Sequence, residues 1–457
     1  MIFRNYYKQK NKKTVLFAYI KKIAGLIIFI CAMIMITRLG YTDENTAAQK
    51  HSFDLTRLIE YIKKNNMDIL NSLDNLKYTK YLIDETKSLS RPVVNFESNF
   101  TRLKDESYEN KNFTNNFNYK FSLAQPLFTY GKIESAIKIS EHYYRSSEKD
   151  YELTVKNVTL AAAKLLYAVK LLEYQREIYQ ASENTFLEHF NNVKAKFEAD
   201  DATKVDYLNA MVNYEQIKPK IIDIDNKITT IKNELKILLN IDLSAELITT
   251  EDIIVSTQED KKYNPKDIFE KSIKTNEAFQ KMNEQLEILK LQRKMSQNTL
   301  RPSVSLITTL GANAKNAEDL FGSAKNNAMA GINLTFPLFD GFKAKNQVRE
   351  FETQIKMLER NIVSFKNNLL KNIETLTNSL KQIAKQIAAD QYVCEQAEEA
   401  ARVTLENFRA GSSVNLDVIE SEKNKLNAKI SLISDKYNFI INSLDLKNAA
   451  GVVLNEK

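Results

Sequence analysis

The ten residues LAQPLFTYGK, Leu123 to Lys132, return as LTFPLFDGFK, Leu334 to Lys343, 211 positions further along the chain. At the same offset Phe197, Ala199, Asp206 and Asn213 fall on Phe408, Ala410, Asp417 and Asn424, and Leu235-Lys236 falls on Leu446-Lys447. Arg91-Pro92 answers Arg301-Pro302 with an offset of 210. The chain is therefore a duplication with a one-residue length difference in a loop, and its fold must be built twice. We expect a first structural repeat over 49–250 and a second over 251–457. Each would hold a helix, a β-hairpin (91–126 and 301–337) and a long helical hairpin (131–240 and 341–451).

Four of the six prolines, Pro92, Pro126, Pro302 and Pro337, bracket two regions whose apolar residues recur with period two, the mark of strands. Phe117, Tyr119, Phe121 and Leu123 alternate with Asn118, Lys120 and Ser122, and Val94, Phe96 and Phe100 with Asn95, Glu97, Asn99 and Thr101. In the second copy Ala330, Ile332, Leu334 and Phe336 alternate with Gly331, Asn333 and Thr335, and Val304, Leu306 and Leu310 supply the partner strand. Polar tips, Arg102 to Asn116 and Gly311 to Asn327, join the strands of each pair.

Elsewhere the pattern is helical. Tyr151, Val155, Val158, Ala162, Leu165, Val169 and Leu172 alternate spacings of four and three, and Phe186, Phe190, Val193 and Phe197 resume the stripe. The second copy repeats it at Leu369, Ile373, Leu376, Leu380, Ile383 and Ile387, with Cys394 on the same stripe as a small buried seam residue. A mean spacing of 3.5 is that of helices coiled around one another. A helix from Gly131 to Phe197 would be about 100 Å long at 1.5 Å per residue. Its return comes in two pieces, Lys204 to Asn240 and Asn264 to Leu300, with Pro219 kinking the first. Gly341 to Phe408 descends in the same way, with Asn415 to Gly451 and Phe53 to Leu89 as the return. An irregular belt is expected from Ile241 to Tyr263. Nine glycines in 457 residues agree with long elements and few turns.

The formal net charge of +7 sits at the front. Of 65 Lys and Arg, eight lie in Met1 to Ala48, as do two of 58 Asp and Glu, so the remainder carries 57 basic residues against 56 acidic. That balance argues against a nucleic-acid partner. Residues 1–48 have the layout of an export signal peptide: basic residues through Lys22, an apolar run from Ile23 to Ile36, then a polar stretch with a cleavage site after Ala48. An uncleaved inner-membrane anchor is the alternative. Cys31 follows a bulky residue and makes a poor lipoprotein site. Without the signal Cys394 stands alone, so no intramolecular disulfide is expected.

Enzyme chemistry finds no footing. His51, His142 and His189 lack metal-ligand spacing and read as surface residues, and no Gly-rich phosphate loop, nucleophile elbow or zinc motif occurs. No catalytic residue, metal or cofactor is expected. Four amphipathic strands cannot stand alone in a bilayer, because an open sheet leaves backbone N–H and C=O groups unpaired in hydrocarbon. Either other copies close a barrel, with two copies giving eight strands and three giving twelve, or the sheet is soluble and caps a coiled coil.

The two Pro-Leu-Phe turns (Pro126, Leu127, Phe128; Pro337, Leu338, Phe339), the matched segments Phe197 to Ala210 and Phe408 to Ser421, and the ending Leu446-Lys447-Asn448-Ala449-Ala450-Gly451 together resemble the TolC family of outer-membrane efflux proteins. The resemblance covers nearly the whole chain after the signal. It implies a mainly α fold with a transmembrane β-barrel portion: a trimer with a twelve-stranded barrel in the outer membrane and a long α-barrel in the periplasm. It also implies passive export of small molecules or proteins, with an inner-membrane pump and a periplasmic adaptor as partners. Each Pro-Leu-Phe turn would be where a strand leaves the lipid and becomes a helix, a site that suits a residue without an N–H.

Asp417 and Glu420 are three apart on a helix and face one way, so a trimer would ring its pore with six carboxylates. The family carries an acidic ring at the closed periplasmic end, and Asp206 matches a position that helps hold that end shut. A plainer reading gives these carboxylates a dipole role near a helix start. Ser413 stands where relatives can carry an arginine of the closing network, and Phe408 lacks a tyrosine hydroxyl. The resemblance also implies adaptor contact at the turns Ala199, Asp200, Asp201 and Ala410, Gly411, Ser412. The rival expectation is an inner-membrane-anchored periplasmic coiled-coil scaffold or adaptor, which would have no use for strands with aromatics on one side.

Overall fold

The structure, a computed structural model, describes residues 50–104, 113–255, 264–314 and 325–451. The expected signal, Cys31 and the centres of both hairpin tips lie outside them, as does the end of the expected belt. The chain divides into two compact units. One is Met1–His51 with Ser244–Glu246, whose described residues hold a Lys50–Glu246 ion pair of 3.5 Å. The other, Ser52–Leu243 with Leu247–Lys457, holds every element given below except Lys50 and His51 of β1 and Glu246 of β4.

The first half carries β1 (Lys50–Phe53), α1 (Leu55–Asn65), α2 (Met67–Ser88), β2 (Val93–Lys104), β3 (Phe113–Phe128), α3 (Lys132–Glu198), α4 (Lys204–Glu215) and α5 (Lys218–Leu239). The second carries β4 (Glu246–Thr249), α6 (Pro265–Thr275), α7 (Glu277–Gln297), β5 (Ser303–Ala314), β6 (Lys325–Thr335), α8 (Lys343–Arg409) and α9 (Asn415–Ala449). The expected belt is thus not wholly irregular, since β4 lies within it.

The four long strands form one antiparallel sheet in the order β2-β3-β5-β6, so β3 and β5 join the two copies at its centre and β2 and β6 are its edges. Register keeps the faces distinct. Phe96, Phe121 and Leu310 are direct neighbours on one face, with the two rings 4.8 Å apart, and the Phe100 ring lies tilted against that of Phe117 at 4.5 Å. On the other face Asn99, Asn118 and Asn313 line up, and Glu97 pairs with Lys120 at 3.1 Å. Gly311 stands opposite Lys120, where a Cβ would lie 2.3 Å from the Tyr119 carbonyl oxygen.

Both strand-to-helix turns use two consecutive left-handed residues, but the glycine changes place. In the first copy they are Tyr130 (φ 51) and Gly131 (φ 74), in the second Gly341 (φ 68) and Phe342 (φ 65). Two positive φ values are what a type I′ turn needs, and each copy accepts one non-glycine residue there. Thr129 and Asp340 precede these pairs and accept from the N–H of Ile133 (3.4 Å) and Ala344 (2.8 Å), capping α3 and α8.

α3 and α8 have 67 residues each, about 100 Å of helix. The expected return pieces are more broken than the apolar pattern indicates. Asn66 ends α1 and caps α2 by accepting from Asp68 N and Ile69 N. Asn276, 210 residues later, ends α6 and caps α7 by accepting from Phe279 N. The return after α4 breaks at Gln216 and Ile217, with Pro219 in the first turn of α5, whereas α9 runs unbroken for 35 residues.

Candidate functional site

The two helical hairpins end in the same turn. Asp201 N donates to Lys196 O (2.7 Å) and Ser412 N to Asn407 O (2.9 Å), the closing bond of a Schellman motif. Asp200 (φ 61) and Gly411 (φ 80) hold the left-handed position in each. Aspartate tolerates that conformation better than most residues, and glycine adopts it freely. Ala199, Asp200, Asp201, Ala410, Gly411 and Ser412 are all exposed.

Each return helix then starts with an aspartate at its third residue. Asp206 Oδ2 accepts from Thr203 N (3.3 Å) and Thr203 Oγ1 (2.6 Å). Asp417 Oδ2 accepts from Val414 N (3.2 Å) and Ser413 Oγ (2.9 Å). Both therefore cap helices, so the plain dipole role is present, and Ser413 gives its hydroxyl to that cap. The structure brings Asp417 and Glu420 together on an exposed groove of about 480 Å³ between α8 and α9, which Tyr392, Val393, Gln396 and Ala397 also line. Asp206 is not with them. Its Oδ1 and its carbonyl oxygen accept from Asn415 Nδ2, at 3.3 and 3.2 Å, across to the other hairpin. The hydroxyl and the backbone N–H of Thr203, with Asn415, hold the Asp206 carboxyl below its usual range, against some burial.

The core under the tips is Val193, Ala210, Phe408 and Val418, one residue from each of four helices. Phe408, without a hydroxyl, acts through its ring, which is buried, with Lys196 Nζ 4.3 Å above it and His189 edge-on at 5.1 Å. His189 corrects an expectation. It is 2% exposed rather than on the surface, and Nε2 lies 2.7 Å from Asn415 Oδ1. The buried stripe of α3 here runs Phe186, His189, Val193, which leaves Phe190 half-buried. Spacings of three and four around His189 carry that signal in the sequence; polarity hides it. His142 is half-buried too and contacts Glu284 at 2.6 Å. Cys394 is half-buried rather than buried, and burial raises its thiol pKa.

At the other end of the long helices Leu127, Phe128, Tyr130, Leu338, Phe339 and Phe342 are exposed, Leu338 at 82%. They surround the turns where strand passes to helix. The two copies differ there. In the first, β3 continues through Pro126, which pairs with Ser305, and the register shifts between Pro126 and Phe128. In the second, β6 ends at Thr335, ahead of Pro337. Proline thus ends the ladder in one copy and sits at a bulge in the other, both sites that forgo an N–H.

The family model described as outer membrane efflux protein matches twice, over residues 58–240 and 269–452. The chain belongs to the outer membrane efflux protein family. The double match falls on the two copies of the duplication. Among relatives, the outer membrane protein TolC of Salmonella enteritidis is 20% identical over 421 residues, 88% of this chain and 83% of that protein. The alkaline protease secretion protein AprF of Pseudomonas aeruginosa is 21% identical over 341 residues, 73% and 69% of the two chains. The fold matches the crystal structure of the outer membrane protein VceC of Vibrio cholerae with a TM-score of 0.78 at 17% identity, covering 87% of this chain and 96% of that one. The outer membrane channel CmeC of Campylobacter jejuni gives 0.78 at 17% identity, over 88% and 87%. As an outer membrane efflux protein the chain is an efflux or secretion channel of the cell outer membrane that extends into the periplasm, and its relatives are channel proteins rather than enzymes. The inner-membrane scaffold is not favoured. No helix among the described residues is long and apolar enough to cross a membrane, a finding silent on β-barrels.

Proposed function

We propose that this chain is the passive exit duct of a tripartite efflux or type I secretion system. It assembles as a homotrimer and works with a periplasmic adaptor and an inner-membrane pump that supplies the energy. The observation that carries this reading is the four-stranded sheet with two unjoined edges, β2 and β6, an apolar aromatic face and an amide-rich face. Bilayer hydrocarbon does not tolerate such edges, so β6 of one copy pairs with β2 of the next, and three copies make twelve strands. The exposed aromatics at the strand-to-helix turns, Pro126 to Phe128 and Pro337 to Phe339, then lie at the lipid–water interface, where amphipathic rings gather. Residues 1–48 direct export, 49–250 and 251–457 are the two repeats, and the tip turns at 199–201 and 410–412 meet the adaptor.

Asp417 and Glu420 form the acidic constriction, and Asp206 ties the first hairpin to the helix that bears them. The relatives' names, alkaline protease secretion and antibiotic efflux, set two cargo classes, proteins and small molecules. Single-channel recording of the purified protein in planar bilayers tests the reading. Wild type forms cation-preferring pores, and Asp417→Ala with Glu420→Ala lowers that preference. Unchanged ion selectivity removes the ring, and the absence of any pore removes the duct.

A further inference from the structure

The tie that the duct reading gives to Asp206 continues inward into a polar chain whose two further members are buried. It runs from His189 on α3, through Asn415 at the first position of α9, to Asp206 on α4. His189 and Asn415 are 2% and 5% exposed. We propose that His189 and Asn415 are positioning residues of the gate, a clasp that fastens the start of α9 to the tip of the first hairpin and so sets where Asp417 and Glu420 point. The inference rests on the acidic-ring reading of those two carboxylates.

The geometry makes the clasp directional. Asn415 Nδ2 donates to Asp206, so Asn415 Oδ1 is left to accept, and His189 Nε2 must carry the hydrogen. Nδ1 is then the bare nitrogen, and it is buried without a partner among the described residues. The duplication offers no second copy of this link. At an offset of 211, His189 corresponds to Ala400 and Asn415 to Lys204. Arg409 also pairs with Glu188 at 2.6 Å and Lys196 Nζ donates to Phe408 O at 3.4 Å, but those links hold the end of α8, whereas this chain of bonds holds the start of α9. Because Asn415 opens α9, moving it turns the helix residues that follow.

A bare buried nitrogen also gives the clasp a pH limit. A proton on Nδ1 would add a charge and a donor with nothing to accept it, in a site walled by the Phe408 ring. Around the imidazole, α9 presents Glu422, itself 3% exposed and 2.7 Å from Lys425, and α3 presents Lys196; Asp206 of α4 lies behind Asn415, and the Glu188–Arg409 pair lies outside. Glu422 favours the proton and Lys196 opposes it, but burial is the largest effect and lowers the pKa below 6.5. An opened tip hydrates His189 and returns it towards its ordinary value. The closed clasp is therefore fully favoured above pH 6.5 and weakens as pH falls below it.

The test uses the full-length protein in planar bilayers with potassium chloride, read at about pH 7.5 and about pH 5. Asn415→Leu keeps the volume and removes both links, and it should raise the open-to-closed ratio about thirty-fold or more at the higher pH, the worth of one neutral hydrogen bond and one to a carboxylate. His189→Gln keeps a donor towards Asn415 but cannot titrate. Wild type should open on acidification and His189→Gln should not. If the leucine variant does not assemble, Asn415→Asp, which sets a carboxylate against Asp206, gives the same reading. Wild-type gating in the Asn415 variants, or an undiminished acid response in His189→Gln, overturns the clasp. Reversal potentials in the same recordings separate the two ideas. Loss of cation preference in the Asp417/Glu420 variant beside inert clasp variants leaves the ring standing and the clasp refuted. Active clasp variants beside an unchanged reversal potential leave a tip link without a ring.

Discussion

α3 and α8 are equivalent helices of equal length, yet one is enclosed and the other is half bare. Val158, Ala162, Leu166 and Val169 of α3 match Leu369, Ile373, Thr377 and Leu380 of α8 at an offset of 211, and all eight are buried. That shared stripe is the seam with the return helices of each copy. α3 buries a second face. Ala163 and Tyr167, with Leu444 and Ile253, form a cluster flanked by Tyr437, Ile440 and Ile441 of α9. The α8 residues at those places, Glu374 and Asn378, are exposed. The two copies share the seam and differ in the second face, which is apolar and buried in α3 and polar and exposed in α8. The bare side of α8 includes Met357 and Val363, exposed at 57% and 58%.

Exchanging the divergent residues breaks this comparison most sharply. Ala163→Glu places a charge at a fully buried site with no partner, and a loss of about 3 kcal/mol or more is expected. Glu374→Ala, the reciprocal change on exposed α8, should stay within about 0.5 kcal/mol. Thermal unfolding of the detergent-solubilised protein, followed by far-ultraviolet circular dichroism, measures both. Similar shifts for the pair would mean that the two helices are enclosed alike.

A smaller contrast lies in the paired helix breaks at Asn66 and Asn276. Each caps the following helix, and removal of such a cap costs about 1 kcal/mol. Asn66 also donates to Leu238 O at 2.8 Å, tying α2 to α5. Asn66→Ala should therefore cost about 1 kcal/mol more than Asn276→Ala, the usual worth of one extra bond. Equal losses in the same unfolding assay would show that the bond to Leu238 contributes nothing.

These cases also mark what the chain's letters disclose. Strands, their polar and apolar faces, and two helices of 67 residues follow from periodicity and from a long-range repeat, because burial selects apolar side chains at fixed spacing. The breaks at Asn66 and Asn276 escape that logic, since a capping asparagine interrupts the backbone without interrupting the apolar stripe. His189 escapes it too, because a buried polar residue is recognised only by its partner, and Asn415 lies 226 residues away. Asp417 and Glu420 were legible as a pair on one helix face, whereas the turning of Asp206 towards Asn415 depends on how two distant hairpins meet. Pro126 shows the same limit: proline marks a place without an N–H, and the neighbouring strand decides between an end and a bulge.

The mildest expected effect is the pH response of Asp206, at the start of the first return helix. Asp206 is held below its ordinary 3.8 first by the Thr203 hydroxyl, then by the Thr203 N–H and by Asn415. A depressed carboxyl pKa means that the unfolded chain binds the proton first, so this contribution is complete above pH 3.8 and fades as pH falls through the lower folded value. Asp206 is half-buried and solvent still screens its carboxyl, so the effect is a small part of the acid limb. Asp206→Asn, which cannot titrate, should flatten that limb slightly below pH 3.8 while leaving its shape above unchanged. Thr203→Val removes the largest cause and should act in the same direction. An acid limb unchanged in both variants would mean that Asp206 draws no net stability from its cap, and the link to Asn415 would then have to hold the hairpins through the asparagine's bond to the carbonyl oxygen alone.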